Sequence, residues 1–207
     1  MKLAKGFLAA VAAISVMALS CASGGGGGGG APKEEAPVVP VYSWNFDDSG
    51  AGTAGWVAAE GEFWDYKGTV AVSRDDSTLG KAMLKVDLDY SKDSSSEWSE
   101  PKIKFTFGTP LDLSTVTRFN FDFYYNPGFS QRGSFKSKVV VMEGGKEKTT
   151  GEAESLKFED AGNGWMKAKV SLRIRKVSGK MEAVVLGIPG YRTNYKGPVF
   201  FDNIYWD

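Results

Sequence analysis

The chain has 207 residues, of which 25 are Lys or Arg and 25 are Asp or Glu, with one cysteine and no histidine. Balanced charge argues against nucleic acid, which demands a basic face. The missing histidine removes the commonest general base and transition-metal ligand, so triads and zinc sites are largely excluded.

Residues 1–20 read as a secretory signal peptide. Lys2 and Lys5 precede an apolar run over residues 7–19 that is too short for a spanning helix. The run ends in Ala18-Leu-Ser-Cys21, which resembles the bacterial lipobox and implies cleavage before Cys21 and acylation of its thiol, the chain's membrane anchor. An ordinary cleavage site with a cysteine nearby is the alternative. Cys21 has no second cysteine to pair with. Residues 21–40 form a tether, since residues 24–30 are seven consecutive glycines, a flexible coil, and a stiffer proline-rich spacer follows. The expected location is a bacterial cell envelope, lipid-anchored at the outer membrane or cell surface.

Residues 41–207 are expected to fold as one domain, large enough to bury a core. Tyr42, Trp44 and Phe46 alternate with Ser43 and Asn45, and Leu84, Val86, Leu88 and Tyr90 alternate with Lys85, Asp87 and Asp89. Phe119, Phe121, Phe123 and Tyr125, then Met166, Ala168, Val170, Leu172 and Ile174, repeat the pattern. A period of two marks half-buried strands with one wet face. Further strands are expected at residues 70–73, 103–107, 138–142, 183–188 and 199–206. Gly144-Gly145, Gly162-Asn163-Gly164, Pro189-Gly190 and Asn126-Pro127-Gly128 signal turns. Only residues 111–116 suggest a short helical turn. About nine antiparallel strands predict an all-β fold, a two-sheet antiparallel β-sandwich with the jelly roll favoured.

Within that frame Trp98 shares the parity of Lys102 and Lys104, while Ile103, Phe105 and Phe107 form the apolar set, so Trp98 points away from the core. An outward indole suits a sugar ring, whose C–H face stacks on it. Trp56 and Trp64, in the glycine-rich stretch after the first strand, are candidates for the same surface or for burial. Trp44 and Trp206 belong to the core, and Trp165 reads as structural. The closing stretch Gly197-Pro-Val-Phe-Phe-Asp202-Asn-Ile-Tyr-Trp-Asp207 places a carboxylate in an aromatic strand, where it needs a partner. If the first and last strands pair, Asn45, Asp47 and Asp202, with Asp48 near, could meet at one rim. Hard oxygen donors suit calcium, and turn carboxylates capping backbone amides are the alternative. Asp65, Asp87, Asp89, Glu97 and Glu100 offer carboxylates for glycoside hydrolysis, but charged strand residues usually form a solvated face, and no enzyme is expected.

Gly80-Lys-Ala-Met-Leu-Lys-Val-Asp-Leu, Ser96-Glu-Trp98-Ser-Glu, Phe121-Asp-Phe-Tyr-Tyr-Asn-Pro and Tyr195-Lys-Gly-Pro-Val-Phe-Phe-Asp-Asn-Ile-Tyr together resemble the mannan-binding carbohydrate-binding modules of family 27. The resemblance spans most of residues 41–207. It implies a jelly roll with a structural calcium and a cleft in which tryptophans stack on β-1,4-mannan or galactomannan. Trp98 matches a platform position. The third platform that the resemblance implies, beyond residues 139–142, has no tryptophan here, leaving Trp64 or an aromatic such as Tyr191 to stand in. Two functions follow as expectations. One is a surface lipoprotein binding β-mannan, with separate mannan-degrading enzymes as partners. The other is a structural or assembly lipoprotein that contacts an envelope protein through the same sandwich.

Overall fold

In the computed structural model the described residues are 42–59, 66, 68–93, 98–129, 134–153, 156–175 and 177–207. The expected signal peptide, Cys21, the expected tether and Trp64 lie outside them. Fifteen strands follow one another among the described residues: β1 Tyr42–Trp44, β2 Val57–Ala58, β3 Val70–Asp75, β4 Met83–Asp89, β5 Trp98–Ser99, β6 Lys102–Asp112, β7 Arg118–Tyr125 and β8 Ser134–Phe135. Then come β9 Ser137–Glu143, β10 Lys146–Ala153, β11 Glu159–Gly162, β12 Trp165–Arg173, β13 Lys180–Gly187, β14 Gly190–Tyr191 and β15 Lys196–Trp206.

One sheet runs β11-β12-β7-β15-β4-β3, with β1 also on β15, and a second runs β10-β9-β13-β6-β2. All the pairings are antiparallel, and the expected union of first and last strands is present, Tyr42 opposite Trp206 and Trp44 opposite Ile204. The core lies between the sheets because each strand's alternation turns its apolar set inward. Phe119, Phe121 and Phe123 from one sheet and Ile103, Phe105 and Phe107 from the other are all buried in one cluster. Trp44 meets Phe105 edge-on with ring centroids 5.1 Å apart, and Phe119 lies 4.5 Å from Trp206. Such aromatic pairs contribute about 0.5–1.5 kcal/mol each beyond area burial.

The closing strand changes phase partway. Val199 and Phe201 face the core, and so do Ile204 and Trp206, a step of three in place of two. A bulge between Asp202 and Tyr205 absorbs the extra residue, and Asn203 takes φ 48° to make it. Asparagine is among the few side-chain-bearing residues that accept this left-handed backbone readily. The outer side of this sheet keeps a second, smaller apolar cluster of Met83, Tyr124, Trp165 and Phe200. Trp165 is therefore structural, as expected, but on the far side of its sheet from the main core.

A third, three-stranded sheet, β5-β14-β8, prolongs the middle of the second one. Its strands precede β6, follow β13 and precede β9, in the same spatial order. Pro101 and Pro189 interrupt the ladders, since proline has no N–H to donate. Two backbone bonds bridge the gap, Ile188 N–H to the Pro101 carbonyl at 3.0 Å and Lys136 N–H to the Pro189 carbonyl at 2.9 Å. Pro189-Gly190 is therefore a break within a continuing strand and not a reversing turn. The helical turn expected at residues 111–116 is absent too, because β6 continues to Asp112 before a simple turn at Ser114 and Thr115.

Candidate functional site

The outward face of the second sheet and its prolongation can be read row by row from the strand register. Trp98 pairs with Tyr191, and Tyr191 with Ser134. Four residues on, Gly187 lies between Lys102 and Lys138, and two beyond that Val185 lies between Lys104 and Val140, with Val57 flanking Lys104. Alternation puts these residues on the side opposite Phe105, Val141 and Leu186, as the parity of Trp98 predicts. Gly187, Val185 and Val140 face outward yet are buried.

Trp98 is half-buried, and its ring lies 4.9 Å from that of Tyr191 at an interplanar angle of 40°. The Lys136 ammonium sits 4.4 Å above the Trp98 ring, and the Arg192 guanidinium 5.1 Å from the Tyr191 ring. Cations held over aromatic faces are attracted by the ring quadrupole, by about 0.5–1 kcal/mol at such exposure. Behind this pair Glu100, 4% exposed, lies between Lys102 at 3.6 Å and Lys138 at 3.9 Å. Gly187 makes room for that carboxylate, because a Cβ there would meet Glu100 Oε1 at 2.5 Å. Burial pushes the Lys102 ammonium down to about 8; the Lys138 charge pushes the same way, and Glu100 opposes both.

Tyr191 thus stands beside Trp98, where the sequence offered it only as one possible substitute. Its position follows from the strand break at Pro189, which sequence alone reads as a turn. Trp56 does not join them. It is fully buried, 5.3 Å from Trp44 and 5.8 Å from Phe105, because the turn at residues 52–55 folds it under the sandwich as a core plug.

The residues expected to hold calcium do gather. Asn45, Asp47 and Asp202 line one open depression of about 740 Å³ at the outer side of the first sheet, together with Asn120, Asp122, Lys167, Lys169, Asn203 and Tyr205. The side-chain oxygens of Asn45 and Asp202, and of the neighbouring Asp48, are nevertheless engaged. Asn45 Oδ1 accepts from the Asp47 N–H at 2.8 Å, and Asp48 Oδ1 from the Gly50 N–H at 2.9 Å, both turn caps. Asp202 accepts from the Lys81 ammonium and, through Oδ1, from the Asn203 N–H at 2.8 Å. Asp122, its cross-strand neighbour, holds Lys167 at 2.8 Å and the Asn203 amide at 2.7 Å.

Lys81 also reaches the Tyr124 hydroxyl at 2.9 Å. Burial alone would lower the Lys81 and Lys167 ammoniums, but hydrogen bonds to the aspartates and Tyr124 outweigh it and raise both above the ordinary lysine range. Among the described residues no three of His, Cys, Asp and Glu stand where a metal ion would bind them. A divalent cation at Asp202 would have to expel one ammonium and tolerate others, so the donors there do not fit calcium. The partner that Asp202 requires is Lys81.

Asp87 and Asp89 pair with Lys85 and Lys196 on the first sheet, whereas Glu100 is on the second. Asp65 and Glu97 lie outside the described residues. Among the described residues the large exposed hydrophobic ones are Val57 and Phe129, which lie on separate elements.

Solved structures share this architecture. A carbohydrate-binding module of family 27 studied for specific mannan recognition superposes with a TM-score of 0.61 at 17% identity, covering 81% of this chain and 96% of that one. The fold is that of a family 27 carbohydrate-binding module. A second such module, from Caldicellulosiruptor saccharolyticus in complex with mannohexaose, gives 0.57 at 24% identity over 79% of this chain and 96% of its own. A family 28 module specific for non-crystalline cellulose gives 0.56 at 17% identity, covering 74% and 88%. No protein-family model and no curated protein matches the chain. The family 27-like sandwich has Trp98 and Tyr191 on its outward second-sheet face, and its fifteen strands account for the all-β, two-sheet jelly roll expected from the sequence.

Proposed function

We propose that this chain is a non-catalytic, polysaccharide-binding lipoprotein of the bacterial envelope whose ligand lies along the outward face of the second sheet. The observation that carries the reading is the Trp98–Tyr191 pair at one end of the outward strand face, on a fold shared with mannan-recognising modules. A β-1,4-linked mannan or galactomannan is the first ligand to test, since flat pyranose faces suit the two rings and lysine, glutamate and serine groups alongside can meet hydroxyls. Acylation at Cys21 would tether the module at the membrane, and separate mannan-degrading enzymes would act on what it holds.

Affinity electrophoresis of the protein in galactomannan, glucomannan, xylan and hydroxyethylcellulose gels tests the binding. Retardation in a mannan gel that disappears in Trp98→Ala is the expected result; free migration in every gel refutes it. Labelling of expressing cells with a palmitate analogue, lost in Cys21→Ala, is the outcome expected for the anchor. The assembly-protein reading has no comparable observation in its favour among the described residues, whose exposed large apolar side chains, Val57 and Phe129, stand on separate elements.

A further inference from the structure

The stretch of face between the aromatic pair and the Lys104–Val185–Val140 row is rich in ammonium groups. Lys102, Lys104, Lys136 and Lys138 all project from it, and Arg192 flanks Tyr191. Among the described residues of that stretch Glu100 is set at 3.6 and 3.9 Å from two of the lysines, longer than a close ion pair, and Glu147 is a second carboxylate near Lys102. A neutral glycan offers such a surface hydroxyls alone. It would also have to move the Lys136 ammonium off the Trp98 ring in order to stack there.

We propose that the face recognises an acidic polysaccharide, a β-1,4-linked chain carrying uronate carboxylates, with Lys104, Lys136 and Lys138 receiving the carboxylates while Trp98 and Tyr191 hold the sugar rings. The inference rests on the second-sheet face being the glycan site. Lys104, Lys136 and Lys138 are half-buried, with stems long enough to turn their ammonium groups toward a bound chain. Displacing Lys136 from Trp98 then costs less, because the ammonium moves from a ring face to a carboxylate, a stronger partner. Lys102, held among Glu100, Lys138 and Glu147, is disfavoured as a cation by its burial. An added negative charge nearby would favour its protonated form. The chemistry selected is therefore that of a mannan whose C6 carries a carboxylate, in which ring shape and linkage are unchanged.

Isothermal titration of the full chain with two matched hexasaccharides, β-1,4-mannohexaose and β-1,4-mannuronate hexamer, separates the possibilities. The expected result is binding of the mannuronate at least about tenfold tighter in low salt, with the advantage falling to about twofold or less in 1 M NaCl, where the screening length is roughly 3 Å. Lys104→Gln and Lys138→Gln should each weaken mannuronate binding by about three- to tenfold, with unchanged melting curves showing that the fold is intact. Binding of the mannuronate alone supports the proposal as well. Mannohexaose bound as tightly as the mannuronate, or tighter, overturns the acidic ligand and leaves the glycan site standing. Binding of neither hexamer, with no retardation in any polysaccharide gel, overturns the site itself and the proposal with it.

Discussion

Replacing Lys81 by methionine keeps the aliphatic stem and deletes the ammonium that joins Asp202 to the Tyr124 hydroxyl. Asp202 has 17% of its side chain exposed and stands cross-strand from Asp122, so the variant leaves two carboxylates facing each other with Lys167 as their nearby cation. Breaking a fully buried pair costs about 3–5 kcal/mol. The Lys81 side chain is 39% exposed, however, and solvent screening at that exposure reduces the figure to about 1–2 kcal/mol. A domain of this size loses roughly 2–4 °C in melting temperature per kcal/mol, which gives a fall of about 2–8 °C. Thermal melts of wild type and Lys81→Met, each with and without EDTA, make the measurement. The variant should melt lower, and chelation should leave the wild-type curve in place. A wild-type melt that drops several degrees in EDTA and returns with added calcium would refute the reasoning, because Asp202 would then be serving a metal that the ion pairs here exclude.

Trp98→Ala should weaken glycan binding by about tenfold to a hundredfold, the equivalent of roughly 1–3 kcal/mol of stacking, while its urea midpoint stays near wild type. Trp56→Ala should do the reverse, costing about 3–5 kcal/mol of stability in urea unfolding, since it opens a cavity beside Trp44 and Phe105. Lys102 has a folded-state value near 8, below the unfolded 10.5, so its neutral form is favoured on folding. Its contribution to stability is therefore present above 10.5 and lost as pH falls through about 8, up to roughly 3 kcal/mol; Lys102→Met should flatten that rise in urea midpoints between pH 8 and 10. Asp89 is held down to about 2 by the Ser91 hydroxyl, against burial, with Lys196 assisting, so its contribution is present above pH 3.8 and lost as pH falls through about 2. Acid unfolding of Asp89→Asn should show a shallower decline over that window.

The two-sheet sandwich was legible in the sequence because alternation is a local property: the sets Phe119-Phe121-Phe123 and Ile103-Phe105-Phe107 declare which side of each strand is buried. The outward aim of Trp98 came from the same parity. What parity could not supply was depth and partnership. Trp56 follows a glycine-rich turn that could deliver it to either side, and only the packing of Trp44 and Phe105 decides for burial. Asp202 looked like a metal ligand because composition shows the oxygens at a rim but not the lysine that comes from residue 81 to meet them. Tyr191 was hard to place because Pro189-Gly190 has the composition of a reversal, and the bridging bonds from Ile188 and Lys136 that carry the strand through it are long-range. One signal was available and unused: the core residues 199, 201, 204 and 206 break the period of two, which marks a bulge at Asp202–Asn203.

The two outward faces treat charge differently, and that difference assigns their roles. On the first sheet Asp122 has Lys167 at 2.8 Å and Asp202 has Lys81, so each carboxylate is close to its own cation, and both lysines are held above their ordinary pKa. A network matched in this way fixes a single arrangement and gains little from a ligand, because binding would first have to break it. On the second sheet the pairs around Glu100 are longer, and burial lowers the Lys102 ammonium. There the proposed ligand carboxylate would add to pairs that are longer than those of the first sheet, and it would favour the charged form of the lysines. The bulge at Asn203 belongs to the first kind: it turns the Asp202 carboxylate and the Asn203 amide to the same side, where they close the charge network, while Ile204 and Trp206 return to the core. The closing strand therefore fastens the sandwich through an ion pair, and the proposed glycan site lies on the opposite sheet, where the lysines border Trp98.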